Sequence, residues 1–205
     1  MSGKICKGVI CLYSSQTFIF SGVKMKIIKT KRLILRMWQL DDLDDYYAYA
    51  KNPNVGSMAG WKPSSSKDES LTQIKSFIGN DEVWAIVLKE NGKIIDHLKI
   101  YPDENRGKFS ERNSAKLINY ALSEDYWGKG YMTEAVKVAV KYAFDEMNIE
   151  LLTAFHFPHN ISSKRVLEKC GFEYEGIIEQ GYKNYDGQIF DSICHSILKP
   201  DYYRL

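Results

Sequence analysis

The sequence has few cysteines, and none is placed as a metal site requires. The four residues Cys6, Cys11, Cys170 and Cys194 include no pair with the spacing of zinc ligands, and no cluster of histidines accompanies them. This pattern indicates free thiols in an intracellular protein rather than a disulfide framework. We therefore predict a cytoplasmic protein that binds no metal.

Long apolar runs are also missing from the chain. No run approaches the roughly 18 residues that a membrane helix needs. Near the N-terminus, Lys4 and Lys7 precede the apolar run from Val9 to Tyr13, which is too short for a secretory signal. The sequence therefore predicts neither a membrane span nor a signal peptide.

A strong excess of one charge is absent too. The chain carries 28 Lys and Arg against 26 Asp and Glu, and its 14 tyrosines are spread out rather than set in basic patches. Such a nearly neutral chain gives no reason to expect a nucleic-acid partner. With 205 residues, of which 44% are hydrophobic and 26% charged, the composition is that of one soluble domain.

What the chain does contain is a glycine turn between a strand and a helix. An apolar run from Leu117 to Leu122 predicts the strand, and a periodic pattern predicts a helix over residues 133–147. Between them, Gly128 and Gly130 allow unusual backbone dihedrals and a close approach to a ligand. The amides of residues 130–133 would lie in the first turn of the helix, where the positive end of the dipole favours an anion such as a phosphate.

The spacing of this turn does not identify the anion. The stretch lacks the two glycines and the Lys-Ser/Thr pair of a P-loop, and Thr133 stands where a dinucleotide fingerprint has its third glycine. Glycine turns between strands and helices are common, so an ordinary connecting turn is the alternative.

The rest of the pattern predicts an alternation of strands and helices. Residues 32–37 alternate as a strand, and the acidic run 41–45 opens a helix that continues to residue 50. Residues 52–65, with two prolines and two glycines, indicate a loop, and Ser66 to Glu69 forms a capping box at the start of another helix. A further helix is predicted at 161–169, and further strands at 84–88, 94–101, 116–122, 151–157, 174–182 and 188–198.

Two segments resemble the acetyl-CoA motifs of the GNAT acyltransferases. The first runs from Tyr120 to Ala135 and the second from Asn160 to Phe172, in the order that the family has. They are most similar to the RimJ/RimL-like branch, which includes ribosomal-protein N-terminal acetyltransferases. The resemblance covers residues 25–205 as a GNAT N-acetyltransferase domain and leaves residues 1–24 as an N-terminal extension. It departs at Asp125, where many members carry Gln or Arg.

The resemblance implies both a fold and a cosubstrate. The fold is α/β (α+β): a mixed, mostly antiparallel twisted sheet flanked by helices on both faces. In the family the strand at 117–122 splays from the strand at 151–157, and the pantetheine of acetyl-CoA pairs with backbone in the gap. A backbone amide near Leu122 would polarise the thioester carbonyl, and residues 52–65 would help to wall the acceptor site. The residues implied to bind acetyl-CoA are Ala121, Leu122, Ser123, Trp127, Gly128, Lys129, Gly130, Tyr131, Met132, Thr133, Asn160 and Ser163.

Two residues of the second motif have alternative roles. Asn160 either caps the helix that follows it or binds pantetheine, and the two roles are compatible. Ser163 is either a plain surface serine or, as in the RimJ/RimL-like branch, the catalytic proton donor to the thioester sulfur. Many other members of the family use a tyrosine four positions later, where this chain has Leu167.

The acceptor and the general base are less defined by the sequence. His156 lies in the strand beside the gap, where an ordinary strand histidine is the main interpretation, while Asp96 and His97 suggest an altered acceptor pocket. No base is assigned. The resemblance implies acetylation of a protein N-terminal α-amine, with a homodimer as a candidate assembly. The alternatives are a small amine (a polyamine, an aminoglycoside or an amino-acid-like metabolite) and a CoA-binding module without turnover.

Overall fold

The computed structural model describes residues 26–80 and 82–204, so the extension predicted at 1–24 lies outside the described residues. In this part of the chain the strands are β1 Ile28–Lys29, β2 Leu33–Arg36, β3 Val83–Leu88, β4 Ile94–Pro102, β5 Ala115–Tyr120, β6 Leu151–His156, β7 Glu173–Lys183 and β8 Ile189–Leu198. The helices are α1 Leu43–Ala50, α2 Pro53–Ala59, α3 Lys67–Ile78, α4 Lys108–Glu111, α5 Tyr131–Asp145, α6 Ile161–Lys169 and α7 Lys199–Tyr202. None of these helices is long and apolar enough to cross a membrane.

The strands form one sheet in the order β1-β2-β3-β4-β5-β6-β8-β7. Every neighbouring pair is antiparallel except β5 and β6, which run parallel. That parallel pairing joins only Ala115–Leu117 to Leu151–Thr153. Beyond Leu117 the two strands diverge, as the splay implied by the resemblance requires.

Helices cover both faces of the sheet, as predicted. On one face, α5 packs its small and branched residues, among them Ala135, Val136 and Ala139, against Trp84 and Ile118 in the larger core cluster. On the other face, α1 and α3 enclose a second cluster that is rich in aromatic rings. Burial of these two apolar faces is the main force that fixes the helices on the sheet.

The loop predicted at 52–65 is wrong in its first half, where α2 forms. Asn52 caps this helix, because its side-chain oxygen accepts a hydrogen bond from the Asn54 amide at 2.9 Å, and Pro53 follows at the first helical position. Gly60 ends the helix in the left-handed conformation, with φ of 84°. The proline and glycine that suggested a loop therefore stand at the two ends of a short helix, where each is favourable.

Smaller differences concern element ends and buried faces. Helix α5 begins at Tyr131 rather than at 133, and β5 ends at Tyr120 rather than at 122. In α1 the helical spacing predicts one face of Leu43, Tyr46, Tyr47 and Ala50, whereas the structure buries Tyr46, Tyr49 and Ala50. The short elements β1, α4 and α7 were not predicted, because two to four residues carry too little periodicity to be recognised.

The acidic run at 41–45 is structural, as predicted, but through specific contacts. Asp42 is buried and pairs with Arg36 through two hydrogen bonds of 2.8 Å each. The Asp45 carboxylate accepts a hydrogen bond from the Ile94 amide at 2.8 Å. These hydrogen bonds connect the start of α1 to the end of β2 and to β4.

Candidate active site

The glycine turn has the backbone conformation that its sequence predicts. Gly128 and Gly130 have φ of 73° and 76°, in the left-handed region. The first helical hydrogen bond of α5 runs from the Glu134 amide to the Gly130 carbonyl at 3.1 Å. The amides of residues 131–133 therefore have no intrahelical partner and lie at the positive end of the helix dipole.

An ion pair that sequence reasoning missed holds this turn in place. Arg32 donates from Nη1 to the Lys129 carbonyl at 2.9 Å and from Nε to Glu134 at 2.7 Å. Glu134 also accepts from the Thr30 hydroxyl at 2.6 Å and from the Arg32 amide at 2.8 Å. Burial acts to raise the pKa of Glu134, but these hydrogen bonds outweigh it and hold that pKa below its ordinary value. Arg32 and Glu134 are about a hundred residues apart in the sequence, so no local sequence pattern predicts this ion pair.

The gap between β5 and β6 opens into a cavity of about 410 Å³. Its wall is built from the end of β5, the glycine turn, the end of β6, the first turns of α6 and one side of α2. A volume of this size is ordinary for a small-molecule site. The splayed strands therefore create a binding cavity in the middle of the sheet.

The cavity brings together nine of the residues implied to bind acetyl-CoA: Ala121, Leu122, Trp127, Gly128, Gly130, Met132, Thr133, Asn160 and Ser163. The other three, Ser123, Lys129 and Tyr131, do not line it. The Ser123 amide donates to the Ile95 carbonyl at 2.9 Å, and the Lys129 ammonium donates to the Asp125 carbonyl at 2.8 Å. The Tyr131 ring packs under Arg32, whose guanidinium carbon lies 4.2 Å from the ring centroid.

The Leu122 amide faces the cavity rather than β4. The amides on either side of it donate to β4, from Ala121 to the His97 carbonyl at 3.3 Å and from Ser123 to the Ile95 carbonyl at 2.9 Å. Successive amides of an extended chain point to opposite edges. The Leu122 amide is therefore directed into the gap, while its carbonyl accepts a hydrogen bond from the Trp127 indole at 2.6 Å.

Asn160 caps α6, as one of its two predicted roles requires. Its side-chain oxygen accepts a hydrogen bond from the Ser163 amide at 2.9 Å. Its side-chain nitrogen donates to the Met58 carbonyl of α2 at 3.0 Å. One amide hydrogen of Asn160 remains for a ligand, since the group has two.

Ser163 is paired with a tyrosine that sequence reasoning did not select. The Tyr120 hydroxyl lies 3.0 Å from Ser163 Oγ, and burial raises the pKa of Tyr120 well above its ordinary value. Leu167, at the position where many family members have a tyrosine, is fully buried in the core. Ser163 is thus half-buried at the cavity rather than a plain surface serine.

The histidines divide between the cavity and the core. His156 lines the cavity, is 5% exposed and shares a hydrogen bond through Nδ1 with the Phe157 carbonyl at 2.8 Å. Its ring centroid lies 5.2 Å from that of His195, whose pKa is lowered by burial and by His156. His97 and Asp96 are buried under α1 and α3, 2.7 Å apart, and do not line the cavity.

The two ends of the cavity differ in chemistry. Near α6, Arg165 and Lys169 add positive charge to the free amides of the turn. On the side formed by α2 and the end of β6, which we call the acceptor end, the wall contains Val55, Met58, Ala59, Phe155 and Phe157, together with His156 and His159. Among the described residues, none that lines the cavity is an Asp or a Glu.

Comparison with known proteins identifies the family. The profile of the acetyltransferase (GNAT) domain matches residues 32–173. The chain belongs to the GNAT acetyltransferase family. It is accordingly an acyltransferase, and the mixed sheet with a splayed centre is the GNAT fold.

Two curated relatives extend over most of the chain. An uncharacterized N-acetyltransferase, p20, of Bacillus licheniformis is 27% identical over 87% of this chain and 99% of its own length. The ribosomal protein uS5-alanine N-acetyltransferase of Escherichia coli is 29% identical over 89% of this chain and 95% of its own length. Among solved structures, the microcin C7 self-immunity acetyltransferase MccE, in complex with acetyl-CoA and AMP, superposes with a TM-score of 0.69. It is 19% identical, over 82% of this chain and 93% of that one.

Proposed function

We propose that this GNAT enzyme transfers an acetyl group from acetyl-CoA to the α-amine of a protein N-terminus. The observation that carries the proposal is the cavity itself, which joins the free amides of the glycine turn to the open edge of β5 and to Ser163. A phosphorylated thioester needs an anion site, an extended channel and a hydroxyl donor, and residues suited to each of these roles line this one cavity.

The residues around the gap fit CoA in charge and shape. The amides of residues 131–133 suit a pyrophosphate, and Arg165 and Lys169 add positive charge beside them. The divergent edges of β5 and β6 leave backbone groups for an extended pantetheine chain. The Leu122 amide, directed into the gap, would donate to the thioester oxygen and stabilise the negative charge that develops there.

The transfer then needs proton movements at two atoms. The amine nitrogen bonds to the carbonyl carbon and loses a proton, while the carbon–sulfur bond breaks and the sulfur leaves with the electron pair. Ser163 donates its hydroxyl proton to that sulfur and regains a proton from water, and water takes up the proton lost by the amine. General-acid help of this kind is typically worth about 10²–10⁴-fold, and since a CoA thiol leaves fairly readily, we expect the low end or somewhat less.

The acceptor end favours a neutral, apolar partner next to the reacting amine. Polyamines and aminoglycosides carry several positive charges, which a buried site must pair with carboxylates. The described lining offers no carboxylate and presents aliphatic and aromatic side chains beside His156 and His159. These features support an N-terminal residue with a small apolar side chain, which agrees with the alanine named for the E. coli relative. Such substrates arise in the cytoplasm, where we expect the protein to act.

A free-thiol assay with acetyl-CoA and a panel of amines tests the proposal. We expect CoA release with peptides that begin with Ala or Ser, and little release with spermidine or an aminoglycoside. The reverse preference would replace the protein acceptor with a small molecule. CoA binding without thiol release for any amine would identify a binding module.

A further inference from the structure

Tyr120 and Ser163 place two hydroxyl groups side by side in the cavity wall. Tyr120 ends β5, whereas Ser163 lies in the first turn of α6. The tyrosine hydroxyl oxygen lies 3.0 Å from Ser163 Oγ and 3.4 Å from the Ser163 carbonyl oxygen. Both residues line the cavity.

The number of hydrogens in this pair limits what each group can do. Each hydroxyl has a single hydrogen to donate. A serine on a helix can turn its hydrogen back onto a carbonyl of the preceding turn, where it is lost to a ligand. A second hydroxyl that donates to the serine oxygen occupies one of its lone pairs and limits the directions in which the serine hydrogen can point. This donor therefore competes with the bond from the serine to the helix carbonyl.

Tyr120 can fill this donor role throughout the neutral pH range. Burial raises its pKa well above the ordinary value, so its hydroxyl stays protonated. The neighbouring Cys170 thiol also stays protonated, because burial raises its pKa to about 12. A neutral, permanently protonated phenol is a poor acid but a dependable hydrogen-bond donor.

We infer that Tyr120 donates a hydrogen bond to Ser163 Oγ and thereby directs the serine hydrogen to the sulfur of CoA. Tyr120 is a positioning residue in this scheme, which rests on the proposed function. As the carbon–sulfur bond breaks, Ser163 gives its proton to the sulfur. Water takes up the proton lost by the amine and returns a proton to Ser163. The phenol keeps its own proton throughout.

The first test measures binding rather than turnover. Calorimetry compares CoA with desulfo-CoA, which lacks the thiol, on the wild type and on Tyr120→Phe, Ser163→Ala and the double variant. We expect the wild type to prefer CoA, Ser163→Ala to lose that preference, and Tyr120→Phe to lose most of it. An unchanged preference in Tyr120→Phe would overturn the inference.

The second test is a kinetic cycle on the same variants. We expect Ser163→Ala and Tyr120→Phe each to lower kcat about tenfold, with the KM for acetyl-CoA nearly unchanged. Because the tyrosine acts through the serine, the double variant should be no slower than Ser163→Ala alone. Independent, multiplying losses would show that Tyr120 does not act through Ser163. Tyr142→Phe, a buried tyrosine of α5 outside the cavity, is the matched control and should keep full activity.

Two further measurements keep the outcomes distinct. Absence of thiol release with every amine would reject the proposed function, while the preference for CoA over desulfo-CoA would still report on the pair. If Tyr120→Phe does not fold, 3-fluorotyrosine at position 120 alone retains the ring and makes the hydroxyl a stronger donor. We then expect a stronger preference for CoA over desulfo-CoA, and an unchanged ratio would reject the inference.

Discussion

Gly128 and Gly130 show how much of the site depends on single backbone positions. Both are in the left-handed region, where a residue with a Cβ costs about 1–2 kcal/mol. A Cβ on Gly128 would meet no protein atom within 4 Å, and one on Gly130 would meet only Arg32, at 3.6 Å. The space above the turn is thus open for a ligand, and a side chain there would compete with it.

We predict that Gly130→Val weakens CoA binding by tenfold or more, because the side chain strains the turn and occupies the ligand's space. Gly92→Val is the matched control: Gly92 has φ of 74°, its Cβ would also meet nothing within 4 Å, and it lies in the β3–β4 turn. Both variants should lose similar stability in thermal unfolding. Equal CoA affinities by calorimetry would place the anion site elsewhere.

Residue-scale prediction succeeded where the signal is local. The dihedrals of the turn follow from two glycines, and the cap of α6 follows from Asn160 at the start of a periodic segment. The Arg32–Glu134 and Tyr120–Ser163 contacts join residues that are 102 and 43 positions apart. Neither residue type nor spacing predicts such pairs, because only the folded sheet brings them together.

At the scale of elements, α2 is held over the cavity by side-chain contacts at both of its ends. Asn160 donates to the Met58 carbonyl at 3.0 Å, and the Tyr182 hydroxyl donates to the Gly60 carbonyl at 2.8 Å. At the other end, Asn52 donates to Glu124 at 2.8 Å and lowers the pKa of that carboxyl. A helix of seven residues has little stability of its own, so these contacts determine where the acceptor end lies.

We predict that Asn160→Asp and Asn160→Ala separate the two functions of Asn160. Aspartate caps helices as well as asparagine does but offers no donor to Met58. Asn160→Asp should therefore keep the thermal midpoint and raise the acceptor KM. Asn160→Ala should also raise the acceptor KM, but it should lose about 1 kcal/mol of stability as well. An acceptor KM that stays at the wild-type value in Asn160→Asp would show that this contact does not position α2.

Prediction of elements from sequence failed mainly at α2. A seven-residue helix between a proline and a glycine offers two turns of pattern, which is too short for the periodicity that identified α5. The long strands and their hairpins were recognised, since β4, β7 and β8 each extend over nine residues or more. The parallel register of β5 and β6 depends on packing of the whole sheet and cannot be deduced from either strand alone.

At the scale of the whole molecule, the match to the GNAT domain begins at Arg32, and the described wall residues of the cavity begin at Val55. We predict that a protein beginning at Met25 retains its thermal midpoint and its turnover with acetyl-CoA, because residues 1–24 precede the GNAT domain. Calorimetric unfolding and the thiol assay on both lengths check this. A shortened protein that folds but is inactive would mean that the extension contributes to the site or to an active oligomer.

The splay that makes the cavity also leaves the sheet with a seam. Strands β1–β5 and β6–β8 are joined across the sheet by three residue pairs at one end, and the rest of that boundary is open. Backbone amides along such a boundary exchange their hydrogens readily with solvent, because the ladder that would protect them is missing. Bound CoA would act as the absent length of strand, slowing exchange of the amides that face this boundary, such as that of Leu122, and raising the midpoint of unfolding with ligand concentration. Without CoA, the protein would then begin to unfold by separation of β5 from β6. The concentration of CoA would therefore affect how long the protein survives proteolysis.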